Sequence, residues 1–234
     1  MRKRKFKKIT SEKEKPKKLP LYPEFIKDKY VGQEVHVVAG GPSLVGFDYS
    51  KLKGKNVIAV NHAFKLVEND FCVFADKGFA IRESPDVIEK AVCVSRQNQV
   101  YPNNIIIFTF ARRNFSMNPE DGVWHSTSSG SIGICAALQG GASKVYIYGF
   151  DCRFLNRKEL IEAAQYNGDK DFMPKKDFYG HNTSMIYQHE QDENEQVFRD
   201  TIQLFSRFPR DKILNMSKFS AIPYFEKSTK PYID

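Results

Sequence analysis

Gly40-Gly41-Pro42-Ser43-Leu44 follows the apolar run Val35-His36-Val37-Val38-Ala39. A glycine turn at the carboxyl end of a first strand lets main chain approach a phosphate or ribose, with amides aimed at an anion. Nucleotides bind at such turns in open α/β folds. The stretch is not G-x-G-x-x-G, because Pro42 and Ser43 fill its interior, and it is not a Walker A loop, because no Gly-Lys-Ser or Gly-Lys-Thr follows. An ordinary tight turn uses the same residues. Asn61 and Asp76 close the second and third strand candidates, so polar groups stand at successive strand ends and face one crevice edge.

Thr127-Ser128-Ser129-Gly130 opens a helix of small residues. One hydroxyl there satisfies the first-turn amides as an N-cap. Three exceed that need, and a helix N-terminus with free N–H groups also suits a ligand phosphate or ribose. His181, in Tyr179-Gly180-His181-Asn182, is the candidate base. An imidazole titrates near neutrality and can take a proton from an acceptor hydroxyl as that oxygen attacks a sugar carbon. A surface-loop histidine is the bland reading, and His62, after Asn61, is a second candidate. Asp169 and Asp171 have the Asp-x-Asp spacing that can hold a divalent cation, but Lys170, Lys175 and Lys176 surround them, and we read a solvated charge run. No metal site is expected.

The elements that must position these residues are short β-branched runs at 35–39, 56–61, 71–75, 91–95, 105–109, 144–149 and 212–215. Their lack of polar alternation predicts strands covered on both faces, hence a parallel sheet flanked by helices. A closely docked central helix is predicted over 129–140, and a surface helix over 189–207 with Phe198, Thr201, Ile202 and Phe205 on one stripe. Between 150 and 185 the pattern breaks into a charged, aromatic stretch, read as a lid or small lid subdomain.

The chain has 234 residues, 41% hydrophobic, enough for one well-buried domain. It carries no apolar run of membrane-spanning length, and Met1-Arg2-Lys3-Arg4-Lys5 leads into more lysines instead of a signal core, so a cytoplasmic protein is expected. Cys72, Cys93, Cys135 and Cys152 show no metal-ligand spacing and read as reduced thiols. The net charge is +8, and residues 1–18 hold ten basic side chains against Glu12 and Glu14, leaving 26 of each sign in the body. Such a tail cannot bury enough surface to fold alone. We read 1–23 as a disordered arm and linker and 24–234 as the folded domain. Arg2, Lys3, Arg4, Lys5, Lys7 and Lys8 suit a polyanion, nucleic acid or an anionic membrane surface, unless the tail only solubilises the protein. With only Phe6 and Ile9 as large apolar residues before Leu19, nucleic acid is the better fit.

Gly41-Pro42-Ser43-Leu44 after a strand, the Thr-Ser-Ser-Gly helix start, Lys144-Val145-Tyr146-Ile147-Tyr148-Gly149-Phe150-Asp151 and the later Tyr-Gly-His-Asn occur in consistent order over 35–215. Together they resemble the bacterial sialyltransferases of glycosyltransferase family 42 and the related phage and archaeal MptE-like proteins. The resemblance implies a Rossmann-like α/β domain with a lid and metal-independent inverting transfer from a nucleotide-activated sugar. His181 matches the family's base, and Tyr166 or Tyr179 matches the lid tyrosines that stabilise a leaving phosphate. The turn at Gly40, Gly41, Pro42 and Ser43, with Asn61, Asp76, Thr127, Ser128, Ser129, Gly130 and Asp151, is the expected nucleotide-sugar site. The family turn reads Gly-Asn-Gly-Pro-Ser, and Gly40 stands where its Asn stands.

The expectation is therefore a nucleotide-sugar-dependent glycosyltransferase with no cofactor beyond its donor, its acceptor a hydroxylated base in DNA of phage type. The alternatives are transfer to a cell-surface glycan, an MptE-like pyrophosphokinase, or a non-catalytic nucleic-acid-binding protein.

Overall fold

The β-branched runs pair into a single sheet. The computed structural model describes residues 20–75, 79, 93–96, 105–108, 115–124, 128–174 and 188–233. Its strands are β1 (Glu34–Val38), β2 (Val57–Val60), β3 (Phe71–Val73), β4 (Cys93–Arg96), β5 (Ile105–Phe108), β6 (Lys144–Tyr148), β7 (Ile213–Asn215) and β8 (Glu226–Lys227). They form an eight-stranded sheet in the order β5-β4-β3-β2-β1-β6-β7-β8, with every pair parallel. The chain first lays strands outward from β1 to β5, then returns and adds β6 to the other side of β1. The strand order thus reverses between β1 and β6, and in open α/β sheets the crevice outside the strands' carboxyl ends at this point is the ligand position.

Successive side chains point to opposite faces of a strand. Val35 and Val37 of β1 join one core cluster with Ile58, Val73 and Ile147, while Val38 joins a second with Ala59 and Tyr148. Both faces are buried, as the unbroken apolar runs require. His36 shares the second face, stacked on Tyr146 at a centroid distance of 5.0 Å, and its Nδ1 lies 3.0 Å from the Tyr148 hydroxyl.

The described α-helices are α1 (Tyr22–Ile26), α2 (Ser129–Gln139), α3 (Arg157–Tyr166) and α4 (Gln188–Phe205). Helix α2 is the central one, buried from Gly130 through Gln139. Its small residues set how close it comes: a Cβ at Gly133 would lie 2.7 Å from Val37 Cγ1, and one at Gly130 would lie 2.4 Å from Phe150 Cε1. On α4, Phe205 and Thr201 are buried while Phe198 and Ile202 are half-buried, so the stripe faces the body.

All seven expected strands form, within about two residues at each end. Three elements differ from expectation. Residues 19–23, read as an extended linker, include the start of α1, where Pro23 falls in the first turn and needs no intrahelical N–H. Tyr22 and Ile26 bury against the core, and burial of one such side chain stabilises by roughly 1.5–3 kcal/mol. The folded body therefore begins two residues before position 24. The edge strand β8 is only two exposed residues and carries no apolar signal. Third, the stretch expected to be a lid contains α3. This helix opens with a capping box in which Asn156 Oδ1 accepts from the Glu159 amide and Glu159 Oε2 accepts from the Asn156 amide.

Helix α3 is fixed to the body. Leu160, Ala163 and Ala164 bury beside Val45 and Leu155, and Asn167 Nδ2 donates to the carbonyls of Ser43 (2.8 Å) and Val45 (2.7 Å). Residues 175–185 of the lid stretch lie outside the described residues, as does the basic arm with Arg2, Lys3, Arg4, Lys5, Lys7 and Lys8. Cys72 and Cys135 are buried and Cys152 is half-buried, all as free thiols, with burial pushing Cys135 up to about 12. No helix among the described residues is long and apolar enough to cross a membrane.

Candidate functional site

Parallel pairing puts the carboxyl ends of β3, β2, β1, β6 and β7 on one edge. The residues that follow them are Ala75, Asn61, Gly40 to Ser43, Asp151 and Ser217. Helix α2 brings its N-terminus to the same edge, since the Ala75 amide donates to Ser129 Oγ at 3.2 Å and Gly130 packs on Phe150. Residues spread over more than a hundred positions thus gather around the point where the strand order reverses.

The β1 turn is held by its neighbours. Its Gly41 amide donates to the Gly149 carbonyl (3.1 Å), and its Ser43 amide donates to Asp151 Oδ2 (2.7 Å). A Cβ at Gly41 would sit 2.3 Å from Gly149 O and 2.6 Å from Asp151 Oδ2. Gly41 is therefore required by the close approach of β6's turn, where Gly149 itself has φ +68°. Asp151 is 2% exposed. Its second oxygen accepts from Ser217 Oγ at 2.9 Å, so the carboxylate ties the turns after β1, β6 and β7 together. Burial raises its pKa, opposed by the bonds from Ser43 and Ser217 and by the charge of Arg153. Arg153 in turn is ion-paired with Glu159. Both oxygens of Asp151 are thus spent within the chain.

Ser43 has one group left over. The residue is 4% exposed, yet its hydroxyl has no hydrogen-bond partner among the described residues. Together with Leu44, Tyr148, Tyr166, Asn167, Ser217 and Phe219 it lines a small pocket.

Asn61 ends β2 in a left-handed conformation, φ +50°. Left-handed backbone costs a non-glycine residue about 1 kcal/mol and is tolerated best by Asn and Asp. Its side-chain oxygen is buried and has no partner among the described residues, while its carbonyl accepts a long bond from Cys72 Sγ (3.5 Å).

The hydroxyls at the start of α2 are partly explained by the fold. Ser128 is the N-cap, its Oγ accepting from the Gly130 amide at 3.2 Å, and Ser129 Oγ serves the Ala75 amide. The Ser131 hydroxyl donates to the Ser128 carbonyl at 2.7 Å. Tyr166 sits at the end of α3, with its hydroxyl donating to the Ser228 carbonyl (3.2 Å) and more weakly to that of Met216 (3.4 Å). Asp169 Oδ1 accepts from the Asp171 amide, closing a short turn.

The structure brings together Gly40, Gly41, Pro42, Ser43, Asn61, Ser128, Ser129, Gly130 and Asp151 on one edge. Asp76, Thr127, Tyr179 and His181 lie outside the described residues. Sequence reading passed over the loop after β7. There Ser217 holds Asp151, Ser220 Oγ donates to the Phe150 carbonyl at 2.6 Å, and the Ala221 amide donates to the Asp151 carbonyl at 2.8 Å. The polar run Asn215, Ser217, Ser220 after an apolar strand was the available signal.

No family model matches the chain, and no curated protein sequence matches it. Among solved structures it is similar to the MAf glycosyltransferase of Magnetospirillum magneticum AMB-1, with a TM-score of 0.46 and 16% identity over 86% of this chain. The chain spans 34% of that protein.

Proposed function

We propose that the protein is a glycosyltransferase that binds a nucleotide-sugar donor at the β1–β6 switch point and transfers the sugar with inversion and without a metal ion. The observation that carries this reading is Asn61. It is held in left-handed backbone beside the β1 turn, and its buried side-chain oxygen has no partner among the described residues. Buried acceptors in folded proteins are nearly always paired, and a strained residue at a strand end marks a position where a ligand completes the arrangement. A ribose hydroxyl or a base amine supplies the missing donor.

In this reading Gly40, Pro42 and the Ser128–Gly130 helix start border the nucleotide, and Asp76 and Thr127 are further candidates for its binding. Asp151 acts through the turn it holds. His181 takes the proton of the acceptor hydroxyl, and Tyr179 meets charge on the leaving phosphate. The basic arm recruits a polyanionic acceptor, for which a hydroxylated base in DNA is our choice.

Hydrolysis of uridine-, cytidine- and guanosine-linked sugars by the full chain tests this. One donor is expected to be cleaved slowly without acceptor, unchanged by EDTA, and at a rate lowered about a hundredfold in His181→Ala if that residue is the base. Pyrophosphoryl transfer from ATP that EDTA abolishes favours the pyrophosphokinase reading. No cleavage of any donor, with or without DNA or glycan acceptors, leaves a binding protein.

A further inference from the structure

The backbone of Ser43 is held on both sides by distant parts of the chain. Its amide donates to Asp151 Oδ2 at 2.7 Å, and its carbonyl accepts from Asn167 Nδ2 at 2.8 Å. Asn167 is 5% exposed and forms the C-cap of α3. The bonds continue beyond it. The Asn167 carbonyl accepts from the Tyr232 hydroxyl at 2.9 Å, and the same hydroxyl accepts from the Asp48 amide at 3.3 Å. One series of hydrogen bonds therefore runs from Asp151 through Ser43 and Asn167 to Tyr232, and returns at Asp48 to the chain that follows the β1 turn.

Tyr232 belongs to a strap, 228–233, that follows β8. The Ser228 amide fixes its near end, donating at 2.8 Å to the carbonyl of Asn215 at the end of β7. Lys55 Nζ holds its far end, donating to the Ile233 carbonyl at 3.3 Å. Between these points the Tyr232 ring packs on Phe47, with centroids 5.2 Å apart. None of residues 228–233 is buried, whereas Asp151 and Asn167 are. Segments with few buried contacts open before the core does. Pro231 also lines the small pocket that contains Ser43, whose hydroxyl has no partner among the described residues. A closed strap thus gains the Tyr232 bonds and leaves a buried hydroxyl unpaired, while an open one loses those bonds and admits water to the hydroxyl. Opposed terms of this kind make a two-state element.

We propose that 228–233 is a latch on the β1 turn, with Tyr232 as a positioning residue that acts through Asn167. Closed, the latch fixes the turn; open, it releases the turn together with the strap. In the transferase reading, on which the identity of the ligand rests, a nucleotide at the turn binds the closed form and so holds the strap shut.

Amide hydrogen exchange of the full chain, read by NMR, tests it. Tyr232→Phe keeps the ring that packs on Phe47 and removes both bonds of the hydroxyl. The informative amides are those of Leu44 and Val45, which donate to the Gly41 and Pro42 carbonyls and not to Tyr232. In the variant they are expected to exchange about tenfold faster, together with Tyr232→Phe's own strap amides at 229, 230, 232 and 233, while α2 keeps its wild-type rates. Saturating CMP, UDP or GDP, whichever calorimetry shows to bind, is expected to slow strap exchange severalfold in the wild type. A tyrosine that only added stability would not make strap exchange depend on a ligand. If Leu44 and Val45 exchange at wild-type rates in Tyr232→Phe, the latch is overturned, whether or not a nucleotide binds. A nucleotide that binds without slowing the strap also overturns it, and the transferase reading stands. If turn and strap speed up together but no nucleotide binds, the latch stands and the reading falls.

Discussion

Asp151 Oδ2 accepts a hydrogen bond from the Ser43 amide at 2.7 Å, across 108 residues of chain. The bond joins the turn after β6 to the turn after β1, and Ser217 Oγ brings in the turn after β7 through the other oxygen. A single buried carboxylate therefore sets the shape of the strand-end crevice.

Asp151→Ala leaves the Ser43 amide and Ser217 hydroxyl without their acceptor and is expected to cost about 1–3 kcal/mol in urea unfolding. Asp151→Asn keeps an acceptor for the Ser43 amide and places a donor against Ser217 Oγ, which can accept. Because burial raises the pKa of Asp151, the charged form is the disfavoured one, and stability from this group is greatest below the unfolded value and falls as pH rises. Asp151→Asn is accordingly expected to stay close to wild type in stability at neutral pH. A loss as large as that of alanine would refute the two-bond account.

Asn61→Gly removes the cost of the left-handed conformation at φ +50° and also the unpaired side-chain oxygen. The melting temperature is expected to hold or rise slightly, since glycine adopts this region freely, even though glycine adds unfolded-state entropy. Nucleotide affinity is expected to fall by about tenfold, the loss of one buried hydrogen bond. Equal affinity in the variant would place the ligand elsewhere.

His36 is 1% exposed between Tyr146 and Tyr148, and burial, then the positive charge of Lys55, lowers its pKa to about 4, with Glu34 opposing. The unfolded chain binds its proton near pH 6.5. Stability from the neutral imidazole is complete above that pH and is lost as pH falls from 6.5 towards 4, by up to about 3 kcal/mol. Unfolding of wild type and His36→Gln followed across this interval should show the difference between them shrinking with acidification. A constant difference would mean that His36 is not buried in its neutral form.

Deletion of residues 1–18 removes ten basic side chains and two acidic ones. If the arm binds DNA, the slope of log affinity for DNA against log salt should flatten by about 0.9 for each phosphate that the arm had neutralised. Donor hydrolysis without acceptor should be unchanged. An unaltered slope assigns the arm to solubility.

The sheet is legible in the residue types alone. Runs such as Val57 to Val60 and Lys144 to Tyr148 lack polar alternation, and only strands buried on both faces favour that composition, so the parallel sheet and its central small-residue helix were legible. The order of glycine turn, Asn61 and hydroxyl-rich helix start was legible too, because each sits beside a strand or helix boundary. What those residues face emerges only from the folded chain. Gly41 is glycine because Gly149 and Asp151 press against it, and Asp151 is buried because Ser43 and Ser217 arrive from strands far away in the chain. Helix α3 falls inside the stretch read as a lid, and it holds its place through Asn167, whose two bonds reach the carbonyls of Ser43 and Val45. Local pattern records which backbone a residue prefers and whether it will be covered. It does not record the partner, because hydrogen bonds and close approaches across more than a hundred residues exist only once the strands have been ordered.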